Sequence, residues 1–121
     1  MEEALKVRLE DGGINVNAAL DRFMGNEAMF VRYLQKFTNE QSYLLLKNSI
    51  SSDDRETARR EAHTLKGICG TLGCEDMQKL VITLEQHIRD NNWTDAVNLM
   101  PEVSRNYESL CTLIMREFSI K

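Results

Sequence analysis

Apolar residues recur along this chain at the three- and four-residue spacing of helix faces, and nowhere alternate as they would on a strand. Asn15 to Met24 is predicted as a short helix closed by Gly25. Asn26 can cap a second helix running to about Asn48. Its stripe is Phe30, Leu34, Phe37, Gln41 and Leu44, with Gln41 the one polar member. The segment Ser51 to Glu56 is rich in cap residues, and Asp53 with Glu56 has capping-box spacing. It opens a third helix with the stripe Ala58, Ala62, Leu65, Cys69 and Leu72, stopped by Gly73. A fourth follows from about Glu75 to Asn91, with Met77, Leu80, Val81, Leu84 and Ile88 inward. The fifth starts near Thr94 and presents Ala96, Met100, Val103, Tyr107, Leu110 and Ile114. Pro101 lies inside that pattern without changing its phase, which predicts a kink rather than a break.

Four long helices joined by short turns predict an all-α fold, an antiparallel four-helix up-and-down bundle with a short additional N-terminal helix. The 121 residues suit a single domain, 1–121, with an irregular N-terminal segment over 1–13. One proline and six glycines leave too little turn punctuation for a many-stranded fold. The net charge of -4 argues against nucleic acid as a partner. The longest apolar run, Tyr43 to Leu46, is far short of the ~20 residues of a membrane span. The acidic start, Met1-Glu2-Glu3, is unlike a signal peptide. Three cysteines (Cys69, Cys74, Cys111) are then read as free thiols, and the expected location is cytoplasmic. A monomer is expected, because this bundle needs no second chain.

His63 is the residue that demands an explanation. At about 100° per residue it falls off the buried stripe of the third helix, on a flank shared with Arg59, Lys66, Gly67 and Gly70. Each glycine inside a helix costs roughly 1 kcal/mol against alanine. Off the core stripe, the expected return is a surface stripped of side chains, where an imidazole stands open to a large partner. Imidazole is largely neutral near pH 7 and then offers one nucleophilic nitrogen. Lys66 could neutralise an incoming phosphoryl oxygen. The other ring nitrogen needs an acceptor to fix its tautomer, and the fourth helix runs back beside the third. Glu85 is the first candidate on phase, and Gln78, two turns earlier on the same flank, the weaker one.

The strings Ala62-His63-Thr64-Leu65-Lys66-Gly67, Leu72-Gly73 and Leu84-Glu85 resemble the signature of histidine-containing phosphotransfer (HPt) domains. Val16 to Leu20, Gly25-Asn26 and Phe37 are similar to the segment before it, so the resemblance covers roughly residues 13 to 115. It implies an acid-labile phosphoryl group on His63, Lys66 as the basic residue beside it, Gly67 as the access position and Glu85 as ring holder. It implies a phosphocarrier rather than an enzyme. The implied partners are response-regulator receiver domains and a hybrid sensor histidine kinase. It implies no cofactor and no metal here, with magnesium on the partner receiver. Cys69 and Cys74 take positions usually held by alanine-like residues.

Plainer readings compete. His87, near the end of the fourth helix, suits the helix dipole and is taken as structural. His63, Cys69, Cys74 and His87 match no common zinc spacing. Arg55, Arg59, Arg60 and Lys66 make a basic patch that is partly a solvated face, with pairs such as Glu56 and Arg60, and partly guidance toward an acidic receiver pocket. Arg59, Arg60, Gly67 and Gly70 are the expected docking positions. Met77 and Met100 are read as core, Met24 and Met29 as an apolar docking rim. The rival functions are a helical adaptor that docks to a receiver or kinase without phosphotransfer, and the phosphoacceptor domain of a chemotaxis-type histidine kinase.

Overall fold

A computed structural model of the chain describes residues 1–118. They form helices α1 (Glu3–Asp11), α2 (Val16–Arg22), α3 (Glu27–Phe37), α4 (Gln41–Ser51), α5 (Arg55–Thr71), α6 (Glu75–Arg89) and α7 (Trp93–Phe118). The bundle proper is α4 to α7: α5 packs between α4 and α6, α6 packs on α7, and α4 closes the ring against α7. No helix among the described residues is long and apolar enough to cross a membrane.

The periodic stripes become the core. Ala58, Ala62, Leu65 and Cys69 of α5 are fully buried, as are Val81 and Leu84 of α6 and Ala96, Val103 and Ile114 of α7. Helix α7 runs through Pro101 unbroken. Acidic Glu75 and Asp76 open α6 while His87 and Arg89 close it, which matches the sign of the helix dipole at both ends. Asn15 and Asn26 cap α2 and α3 by accepting from the amides of Ala18 and Met29.

Three expectations are corrected. The segment 1–13 is not irregular: Glu3–Asp11 is helical, with Leu9 fully buried and Arg8 paired to Glu117 of α7 at 2.8 Å. Its apolar side is too short to register as a stripe. The cap of α5 is Asp54, which accepts from Thr57 N at 3.2 Å, and not Asp53. Asp53 instead sits in the left-handed region (φ 57°) and accepts from Trp93 Nε1 at 3.0 Å, tying this turn to the start of α7.

The third correction is the largest. The expected helix from Asn26 to Asn48 is two helices, broken at Thr38–Glu40. Glu40 caps α4 by accepting from Ser42 N at 3.0 Å. The buried face then shifts phase to Ser42, Tyr43, Leu46, Ser49 and Ile50, leaving Gln41 and Leu44 exposed. Tyr107 of α7 occupies the break. Its hydroxyl donates to Phe37 O at 2.6 Å and accepts from Glu40 N at 3.2 Å, and its ring stacks on Tyr43 with centroids 3.7 Å apart. Tyr107→Phe keeps the stack but strands a carbonyl and an amide, so a loss of about 1–3 kcal/mol is expected by urea denaturation. An unchanged midpoint and slope would refute that role.

The turn between α5 and α6 is fixed by Gly73. Its φ is +76°, and a Cβ there would lie 2.5 Å from the backbone oxygen of Asn15. Asn15 N donates to Gly73 O at 2.8 Å, so α2 is clamped to the hairpin of α5 and α6. That hairpin carries the candidate site.

Candidate functional site

His63 stands on the α5 face beside α6, and its side chain is 71% exposed. Its Nδ1 lies 2.9 Å from Oε2 of Glu85. Glu85 belongs to the inner face of α6 and its side chain is only 5% exposed, although the sequence placed it on a flank. Lys66, one turn after His63, puts Nζ 2.8 Å from the other Glu85 oxygen, Oε1. One buried carboxylate therefore holds both the ring and the lysine.

Burial alone would raise the pKa of Glu85. The hydrogen bonds from Lys66 and His63, with their charges, outweigh it, and the carboxyl is held below the usual carboxylate range. An ionised carboxylate can only accept, so Nδ1 carries the ring proton and donates it to Oε2. The neutral ring then has its lone pair on Nε2, which has no hydrogen-bond partner among the described residues. Competing nucleophiles are withdrawn. Burial pushes the thiol of Cys74 up to about 12 and that of Cys69 higher still, and it raises half-buried Cys111 as well.

Two surfaces meet at Thr64, the residue after His63. An open depression on the α6 side is lined by Arg59, Arg60, His63, Thr64, Glu85 and Arg89. A groove on the α3 side has an apolar floor of Tyr33, Gly67, Ile68 and Leu72, with Lys36, Glu40 and Thr64 also lining it. It continues past Tyr33 and Thr71 to Phe23, Met24 and Met29. Met24 is 95% exposed and in the left-handed region at φ 55°. Met24 and Met29 share this surface with Arg22 and Asn26.

The two glycines differ. A Cβ on Gly67 would meet nothing within 4 Å, so that position is bare as expected. A Cβ on Gly70 would lie 2.5 Å from the Gln78 side-chain nitrogen. Gly70 is accordingly a seat for Gln78 and not an opening beside His63. Gln78 in turn rests two turns from the imidazole and does not hold it; Glu85 does. Lys66 is partly covered and engaged by Glu85 rather than standing free. Arg59 and Arg60 line the depression, with Arg60 near Glu61 at 3.5 Å. His87 does not line it. The sequence reading missed Arg89, whose Nη1 is 3.7 Å from Glu85 Oε1. The signal was the i,i+4 spacing of Glu85 and Arg89.

The family model described as the Hpt domain matches residues 32–113, which includes all of α4, α5 and α6. The chain belongs to the Hpt domain family. Comparisons with curated proteins and with solved structures returned no match. Hpt domains act in phosphotransfer within two-component signalling and are in general phosphocarriers rather than enzymes. Membership implies interaction with the receiver domains or kinases of a phosphorelay. The matched span holds His63, Lys66, Gly67 and Glu85, and leaves α1 and α2 outside it.

Proposed function

We propose that Nε2 of His63 accepts a phosphoryl group from the aspartyl phosphate of one receiver domain and returns it to the aspartate of another. The observation that carries this reading is a single arrangement: an exposed His63 whose Nε2 has no hydrogen-bond partner among the described residues, while Nδ1 donates to a buried, ionised Glu85. The Nε2 lone pair attacks phosphorus. The N–P bond forms as the P–O bond to the aspartyl carboxylate breaks, and the aspartate leaves as an anion. No proton has to move. The ring becomes a phosphoimidazolium whose positive charge is met by Glu85, 2.9 Å away.

Lys66 is the cation for the phosphoryl oxygens, with Glu85 holding it in reserve at 2.8 Å. Glu85 orients the ring. Gly67 and the groove beside it admit the partner, and Arg59 and Arg60 guide it. Magnesium belongs to the receiver, and this chain needs no cofactor of its own. The domain works as a cytoplasmic monomer.

The test is incubation with a phosphorylated receiver. The expected product is a labelled chain whose label is lost in acid and kept in base. A stable complex without acid-labile label would replace this reading with a docking adaptor.

A further inference from the structure

Glu85 has two oxygens and three cationic or potentially cationic neighbours. Oε2 takes the ring proton of His63. Oε1 takes Lys66 at 2.8 Å, with Arg89 waiting at 3.7 Å from the same atom. Phosphorylation asks Lys66 to do two things at once. The N–H of Nδ1 and the lone pair of Nε2 point in widely divergent directions, so a phosphoryl group on Nε2 lies on the side of the ring away from Glu85. One ammonium cannot stay on Oε1 and also reach the phosphoryl oxygens beyond the ring. If it leaves, a buried carboxylate loses a partner at the moment the ring it holds becomes charged, and leaving that oxygen unsatisfied is unfavourable.

We infer that Arg89 is a positioning residue that takes over Glu85 Oε1 when Lys66 moves to the phosphoryl group. This rests on the phosphocarrier reading. Arg89 is placed for the exchange. It follows Glu85 by one turn on α6, so its reach to Oε1 needs side-chain rotation alone. Its side chain is 56% exposed and free to swing. Among the described residues, Glu85 is the only carboxylate within ion-pair range of it. The other arginines of the depression are placed differently: Arg60 is paired with Glu61, and both Arg59 and Arg60 come from α5. The consequence is that Glu85 keeps a cation on Oε1 in both states, and the ring keeps its acceptor while Lys66 is away.

The hand-off makes opposite demands on the two cations in the two states. Phosphoramidate serves as a small donor: its P–N bond breaks, ammonia leaves, and the phosphoryl group passes to Nε2. The readout is exchange of the Nδ1 proton with solvent, followed by 15N NMR on histidine-labelled protein before and after phosphorylation. Lys66→Met is expected to speed exchange only in the unphosphorylated form. Arg89→Gln is expected to speed it chiefly in the phosphorylated form, by about two- to fivefold, the range of an exposed ion pair. Arg89→Lys should restore the native rate. Equal effects of Arg89→Gln in both forms, or none in the phosphorylated form, overturn the hand-off. Lys66→Met acting in both forms does the same, because the lysine then never leaves. Failure of phosphoramidate to label His63 in the native chain removes the phosphocarrier reading itself, and is told apart by the absence of any N–P signal.

Discussion

Gly67→Leu should leave the bundle at least as stable as the native chain, yet slow phosphotransfer from a receiver by about 100-fold. The two effects have different origins. A Cβ at Gly67 meets nothing within 4 Å, so the new side chain finds no clash at its root. Replacing a glycine inside α5 with leucine improves helix propensity by up to about 1 kcal/mol. The same side chain stands in the groove beside His63, where the partner must approach. A displacement of about 1 Å between reacting groups is enough for roughly a 100-fold loss of rate. A small donor supplies the control. Phosphoramidate should label Gly67→Leu as fast as the native chain, because it needs no docking surface. Equal slowing with both donors would mean that the leucine disturbs the ring, and undiminished transfer from the receiver would mean that partners dock elsewhere.

Glu85→Ala is expected to act on stability and transfer together. It frees Nδ1, removes the partner of half-buried Lys66 and leaves space in the inner face of α6. A destabilisation of about 1–3 kcal/mol follows, below the figure for a fully buried pair because His63 and Lys66 both reach water. Phosphotransfer should fall by about 10- to 100-fold as the ring loses its fixed tautomer and orientation. Glu85→Gln keeps an acceptor without the charge, and should fall between the two.

The folded chain holds the Glu85 carboxyl below the usual carboxylate range, so at acidic pH the unfolded chain binds that proton more readily than the folded one. The contribution is therefore fully present at neutral pH. It is lost as pH falls through the usual range toward the depressed folded value. In urea titrations the stability gap between the native chain and Glu85→Gln should be widest near pH 7 and close in acid. A gap that does not change with pH would mean that the ionised carboxylate is not what holds the site together.

Helices α5, α6 and α7 were legible because each buries one continuous stripe, and a stripe is a property of sequence spacing alone. The break between α3 and α4 was hidden for the same reason. Gln41 and Leu44 continue the spacing of Phe30, Leu34 and Phe37 past a turn that a distant residue, Tyr107, completes through hydrogen bonds to Phe37 O and Glu40 N. Helix α1 was invisible because Leu9 alone is buried in it.

At the site, phase placed His63 outside the core and selected Glu85 on the facing helix. Phase could not separate Gly67 from Gly70, since only the packing of α6 brings Gln78 over Gly70. Nor could it reveal that Lys66 and His63 share one carboxylate, because that depends on how far α6 turns Glu85 inward. Arg89 is reachable by the same helical arithmetic, since it follows Glu85 by four residues on α6.

The chain contains two histidines, and this gives the central claim an internal control. After incubation with a phosphorylated receiver, the modified position should be mapped by mass spectrometry under conditions that preserve N–P bonds. The phosphoryl group is expected on His63 alone, with His87 unmodified and with no label on a His63→Gln variant that remains folded. Label on His87, on a carboxylate, or on His63→Gln at the native level would contradict the account.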